Sequence, residues 1–363
     1  MPTAKKKRSQ DSVAVYFASV EQAKAGGIYQ GLKDVFRRTK VADSIEKGDV
    51  VAIKVHFGEL GNTRYLRPAF VRRLVDLVKD AGGRPFVTDT TTLYRHHRHD
   101  LFQHLETARA NGFTPETLGC PVLIADGIKN NGVDVKVRGN KLIPTVNVAQ
   151  AIYDADVIIN AAHLTFHCDF VWGGTIKGLG MGCTTRKMKL LMHQPSGKPI
   201  FHRDRCVNCG LCLQYCAGEA FTRKRGRILF DADKCVGCGE CIVFCTGHAI
   251  TLAWGEAWRE LILRTAECGR GVLSTFAPEK AWHFLFALDI TGDCDCIGAS
   301  EGQPALPDMG IFASQSPVAT DLAALDIAEK AGLPEERVEA VQTFRKLIAE
   351  SVLPSVRCRL NPI

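Results

Sequence analysis

Val50-Val-Ala-Ile-Lys-Val-His56, Pro68-Ala-Phe-Val-Arg-Arg-Leu-Val-Asp-Leu-Val-Lys-Asp-Ala81 and Pro85-Phe-Val-Thr88 follow one another in close succession. The outer runs are apolar and β-branched, which suits buried strands. The middle run carries an amphipathic helical pattern; Pro68 fits a first helical turn, and Gly82-Gly83 supplies permissive backbone to end it. Strand, helix and strand with short connections predict parallel strands joined by a crossover helix.

Working outward, further strands are expected at Val13–Phe17, Val122–Ala125 and Val157–Asn160, and helices at Ile28–Lys40 and Asp100–Asn111. Towards the C-terminus, Glu256–Cys268, Asp321–Ala331 and Pro334–Glu350 read as helices, and His283–Ile290 and Ile311–Ser314 as strands. The fold class is therefore α/β, a central, largely parallel sheet with helices on both faces. Its expected organisation is a disordered basic tail over 1–12, a first α/β part over 13–197, a cysteine-rich module over 198–252, and a C-terminal part over 253–363 that completes the sheet.

The chain has 363 residues, 46% hydrophobic and 23% charged, a globular composition that excludes a disordered or fibrous protein. Its net charge of +7 owes four charges to Lys5, Lys6, Lys7 and Arg8. Such a tail reads as a solvated terminus, with nucleic-acid or anionic-surface contact as the alternative; no DNA- or RNA-binding module accompanies it. No apolar run is long enough to span a membrane, and the polar first residues do not form a secretory signal. Fifteen cysteines, an odd number, fit a disulfide framework poorly and point to metal or redox chemistry in a reducing cytoplasm.

Eight of these cysteines form an internal repeat. Cys206-Val-Asn-Cys209-Gly-Leu-Cys212-Leu-Gln-Tyr-Cys216 recurs as Cys235-Val-Gly-Cys238-Gly-Glu-Cys241-Ile-Val-Phe-Cys245. Cys-x2-Cys-x2-Cys-x3-Cys, present twice, is the spacing that holds two [4Fe-4S] clusters, the fourth cysteine of each run reaching the other cluster. One cluster would take Cys206, Cys209, Cys212 and Cys245, the other Cys235, Cys238, Cys241 and Cys216. Zinc, the alternative, typically uses two separated Cys pairs rather than a doubled quartet. The module is similar to bacterial two-cluster ferredoxins, except that Ala217 and Thr246 stand where a Pro usually follows the fourth cysteine.

A second concentration of chemistry follows the Val157–Asn160 strand. It contains His163 and His167, then Gly173-Gly174-Thr-Ile-Lys177-Gly178-Leu-Gly180-Met-Gly182, then His193. The glycines suit a loop whose backbone approaches a ligand or phosphate, and the position is the carboxyl end of a strand, where α/β proteins bind ligands. Other strand ends bear His56-Phe-Gly-Glu59, Thr88-Asp89-Thr90 and Asp126-Gly127, so one shared pocket is expected. Arg95-His-His-Arg98-His99 reads as a solvated run, with phosphate binding as the alternative. Cys294-Asp-Cys296 could bind a metal, form a redox pair, or be two buried thiols.

These segments, together with Asp289-Ile-Thr and Asp308-Met-Gly310, resemble the family catalogued as domain of unknown function 362, some members of which carry a ferredoxin module in this place. The resemblance runs from about residue 13 to near the end. Gly178 stands where members often have Asn, and Ser316 where an Asp often precedes Pro-Val-Ala. His167, Lys177 and His193 are also similar to the pattern of nickel-pincer lactate racemases, in which the Lys attaches the cofactor and a His ligates nickel or handles protons.

The expected function is an iron–sulfur oxidoreductase relaying electrons from a redox partner protein to a pocket of His56, Asp89, His163, His167, Lys177 and His193. The pocket would take a small anionic substrate, with Gly173, Gly174, Gly178, Gly180 and Gly182 binding it or a cofactor. A flavin or another metal could mediate the step, although no Gly-x-Gly-x-x-Gly fingerprint supports a dinucleotide. The alternatives are a non-catalytic electron-transfer or cluster-delivery protein and a metal-dependent racemase.

Overall fold

The computed structural model describes residues 12–21, 26–255, 257–298, 304–353 and 357–363. The basic tail expected to be disordered lies almost wholly outside these residues. Eight strands form the central sheet: β1 (Ser12–Ser19), β2 (Val50–Lys54), β3 (Arg84–Asp89), β4 (Val122–Ile124), β5 (Val157–His163), β6 (Ala281–Ala287), β7 (Gly310–Ser314) and β8 (Arg357–Pro362). Their order is β8-β1-β7-β6-β5-β2-β3-β4. Every pairing is parallel except the two made by β7, which runs against β6 and β1. The sheet is thus largely parallel, and strands on both sides of the cysteine-rich module belong to it.

Period-two alternation distributes the strands between two cores. Val51, Ile53, Val157, Ile159, Phe284 and Phe286 face one of them, beneath helices α1 (Gly27–Thr39), α2 (Pro68–Asp80) and α3 (Leu101–Ala110). Ala52, Ile158, Ala162 and Leu285 face the other. That side is covered by α4 (Thr175–Gly180), α5 (Arg186–His193), α6 (Trp258–Leu273), α7 (Pro317–Ala331) and α8 (Val338–Ala349). Burial on both faces is why these strands read as continuous apolar runs.

The glycine-rich segment departs from expectation. It contains α4, a helix, where a ligand-cradling loop was expected. Asp321 of α7 caps it from another element, accepting from Thr175 N–H (2.7 Å), Ile176 N–H (3.1 Å) and the Thr175 hydroxyl (2.7 Å). A Cβ at Gly174 would lie 2.5 Å from that carboxylate, and one at Gly180 would meet the Thr265 carbonyl of α6 at 2.1 Å. These glycines serve close packing of helices.

The module lies between α5 and α6. Its ends pair as the antiparallel ribbon Ile200–Phe201 with Ile250–Thr251, and Phe221–Lys224 pairs with Arg227–Phe230 as a hairpin. Phe221, Ile228, Ile242, Ile250 and Leu252 form its own small core with Cys212 and Cys241, and Leu93 and Leu190 of the α/β body join that cluster.

Candidate functional site

The carboxyl ends of β2, β3, β5 and β6 open onto a cavity of about 530 Å³. This is where parallel α/β sheets present their loops to ligands. All six expected residues line it: His56 after β2, Asp89 ending β3, His163 ending β5, His167 just beyond, Lys177 on α4 and His193 ending α5. Gly173, Gly174, Gly178 and Gly182 also line it, whereas Gly180 faces α6. Asp126 sits one step behind the wall, accepting from the Thr91 N–H at 3.0 Å and the Thr91 hydroxyl at 2.6 Å.

The four histidines differ in what they offer. His56 Nδ1 accepts from Gly58 N–H (3.0 Å), and burial followed by the Arg98 charge holds the ring well below its ordinary pKa. The neutral ring therefore carries its proton on Nε2. His193 is the reverse case: Nδ1 donates to the Lys189 carbonyl (2.8 Å), and burial lowers its pKa to about 4, leaving Nε2 as an acceptor. His167 Nδ1 accepts from the N–H groups of Asp169 (3.0 Å) and Phe170 (3.1 Å). His163 has both nitrogens engaged, by Asp295 at 2.9 Å and the Leu288 carbonyl at 2.7 Å. Burial lowers the His163 pKa, but Asp295 outweighs it and keeps the imidazolium favoured. That ring positions the 294–296 loop and leaves no nitrogen for a ligand.

Asp89 is a clamped carboxylate. Burial pushes its pKa up, but Lys54 and the His104 ring, whose Nε2 lies 3.5 Å away, outweigh burial and hold it well below the ordinary range. Lys54 Nζ lies 3.6 Å from it, and Arg98 Nη1 also lies at 3.6 Å. Arg98 is 2% exposed and reaches Glu59 at 3.2 Å, which corrects the reading of residues 95–99 as solvated throughout. His99 is buried as well, while Arg95, His96 and His97 are exposed. Lys54 and Lys189 were missed in the sequence; Lys54 ends an otherwise apolar strand, and Lys189 lies among the apolar Met188, Leu190 and Met192 on the buried face of α5. Packing, too, depends on Lys54, because a Cβ at Gly182 would lie 2.2 Å from its Nζ.

Cys294 and Cys296 both face the cavity. Lys177 Nζ is 3.1 Å from Cys294 Sγ, and the Cys296 N–H donates to the same sulfur at 3.3 Å. The Cys296 thiol, opposed by burial and aided by Lys177 and His167, holds Cys294 well below the ordinary thiol range. The neighbouring Cys294 sulfur, together with burial, raises Cys296 well above it. Against burial, the Cys294 sulfur holds the Lys177 ammonium above its usual range. His167, Cys294 and Cys296 place one ligand atom each within 4.8 Å of the others, as do Glu59, His96 and His97.

In the module, Cys206, Cys209, Cys212 and Cys245 line one small cavity. Burial, then its neighbours Cys206, Cys245 and Cys209, raises Cys212 to about 11. Burial likewise raises Cys241 well above the ordinary range, with Cys238, Cys235 and Cys216 adding to it. Backbone N–H groups of Ala220 and Ala249 donate to Cys216 and Cys245, both at 3.2 Å. Two residues link the module to the large cavity. Leu93 lines that cavity and would meet a Cβ at Gly239 at 3.0 Å, and Trp254, just past the module, also lines it and packs on His193 at 5.0 Å.

Residues 51–326 match the model of the family described as Domain of unknown function (DUF362). A thylakoid-associated protein of Synechocystis sp. is 26% identical over 165 residues, covering 42% of this chain and 45% of that protein. The chain thus spans about half the length of the curated relative it matches. Among solved structures, the lactate racemase apoprotein from Thermoanaerobacterium thermosaccharolyticum is similar with a TM-score of 0.40 and 10% identity, over 90% of this chain and 58% of that one. Among the described residues, no helix is long and apolar enough to cross a membrane.

Proposed function

The chain belongs to the DUF362 family, and from that premise we propose that it is an oxidoreductase binding two [4Fe-4S] clusters in the cysteine-rich module and carrying out its reaction in the strand-end cavity. The observation that carries this reading is the position of Leu93, which walls the cavity and packs against the loop of the second cysteine run. Bound clusters would supply single electrons. The grouping of Cys206, Cys209, Cys212 and Cys245 around one cavity matches the crossed ligand set of a two-cluster module.

In the cavity, His56 Nε2–H donates, His193 Nε2 accepts a proton, and Lys189 attracts an anionic group. Electrons come from a redox partner protein through the module. Free cysteines and the proposed clusters would suit a reducing, cytoplasmic compartment. Convergence of the titratable strand-end residues on one cavity favours catalysis over a non-catalytic carrier or cluster-delivery role. A second reading, a metal-dependent racemase, draws on His167, Lys177 and His193 sharing that cavity.

Anaerobic purification with metals counted per chain tests the proposal. About eight irons, matching sulfide and a broad visible absorbance are expected for two clusters. Fewer than four irons would sink the two-cluster reading, and stoichiometric nickel would favour the racemase. Lys177→Ala should retain the iron and absorbance while abolishing substrate turnover.

A further inference from the structure

We propose that Cys294 and Cys296 are a redox-active dithiol that closes to a disulfide inside the cavity and gives up two electrons, one to each cluster. The destination of the electrons rests on the two-cluster reading above; the dithiol itself does not.

The geometry favours sulfur–sulfur chemistry. The two sulfurs lie within 4.8 Å of each other. A turn closed by Ile297 N–H on the Cys294 carbonyl (2.9 Å) keeps both residues on one bend. Asp295 between them is pinned by His163 at 2.9 Å, so the bend is held from its middle residue. Lys177 Nζ at 3.1 Å and the Cys296 N–H at 3.3 Å both point at Cys294 Sγ, the arrangement that stabilises a thiolate.

The same surroundings oppose a metal ion at this place. Two backbone N–H groups occupy the lone pair of His167 Nδ1, which puts the ring proton on Nε2 and removes that nitrogen as a ligand. A ligating histidine normally donates its second nitrogen to an acceptor, the opposite arrangement. The Lys177 ammonium beside Cys294 would also repel a cation.

The step balances as follows. The Cys294 thiolate and the Cys296 thiol become one disulfide; the S–S bond forms, the Cys296 S–H bond breaks, and its proton passes to solvent water. Two electrons leave the sulfurs, and two oxidised [4Fe-4S] clusters accept one each. The reverse reaction reopens the disulfide, so the pair converts single-electron traffic in the module into a two-electron store in the cavity.

The test uses the holoprotein, purified anaerobically and poised with ferricyanide or with dithionite in the absence of added thiol. Acid quenching, alkylation and peptide mass analysis then report on residues 294–296. The expected result is a disulfide after ferricyanide and two alkylated thiols after dithionite. Reductive titration of the oxidised protein should consume about four electrons per chain, two for the clusters and two for the disulfide. Cys294→Ser should keep its iron and absorbance and consume about two. Full alkylation of both cysteines in the oxidised protein would overturn the proposal, as would a stoichiometric nickel or zinc ion lost in Cys294→Ser. A low iron count with the disulfide still forming would overturn the cluster reading and the electrons' destination, and keep the dithiol.

Discussion

Lys189 is the cation whose charge can be switched near neutrality. Its Nζ bonds the Thr90 hydroxyl at 2.6 Å and the Thr91 carbonyl at 2.5 Å, and burial lowers its pKa to about 8. Two of its three donors are thereby used, leaving one for an anion. Binding of an anionic ligand should therefore weaken as pH rises through about 8. A charge-assisted hydrogen bond contributes about 1.5–3 kcal/mol, so Lys189→Met should weaken anion binding roughly tenfold to a hundredfold and flatten that pH dependence. Stability should move the other way. The unfolded lysine keeps its proton up to about pH 10.4 while the folded one has released it, so this group makes the protein more stable as pH rises from about 8 to 10. Denaturant titrations of the wild type and Lys189→Met across that range check the sign. His56, His167 and Lys177 were legible in the sequence because each stands at a strand end or in a glycine-rich segment. Lys54 and Lys189 were not, because a lysine within an apolar run reads as solvent-facing until the fold buries it.

Among the elements, α4 holds the most consequence for its length. It carries Lys177, and its N-terminus depends on a carboxylate from α7 rather than on a local cap. Asp321→Ala would leave two backbone N–H groups and the buried Thr175 hydroxyl without that acceptor, costing about 2–3 kcal/mol. Thermal unfolding should register the loss, and so should faster amide exchange at Thr175 and Ile176. The strands of the sheet were legible from apolar runs, with boundaries moved by a few residues. The helical character of residues 175–180 was not. Its glycines suggested a loop, and the Asp321 carboxylate that makes the helix possible comes from 146 residues away. The hairpin strands Thr165–His167 and Val171–Gly173 also escaped notice, since they are short and lie in a stretch of His, Cys, Asp and Gly rather than an apolar run.

For the whole molecule, if the module relays electrons as proposed, its seating on the sheet decides whether they can reach the cavity. Arg186 is the tie: Nη1 meets Glu240 of the module at 2.5 Å, Nε bonds the Thr92 carbonyl at 2.9 Å, and Nη2 bonds the His99 carbonyl. It is 3% exposed, so losing it strands the buried Thr92 and His99 carbonyls and frees the half-buried Glu240 of the module. Arg186→Ala should raise hydrogen exchange across residues 235–245 and slow electron transfer from module to cavity at least tenfold, with the iron content unchanged. Protection of β2, β5 and β6 should stay as in the wild type.

β1 has a consequence of another kind. It lies between β7 and β8, so among the described residues it pairs only with segments that follow it by roughly 290 residues or more. On a ribosome adding about 5–20 residues per second, residues 12–19 would wait roughly 15–60 s for a partner. The module's hairpin and ribbon find their partners far sooner in sequence. A nascent chain would therefore hold an ordered cysteine-rich insert while β1 still offers an open edge, a window in which a chaperone, or another nascent copy, could engage it.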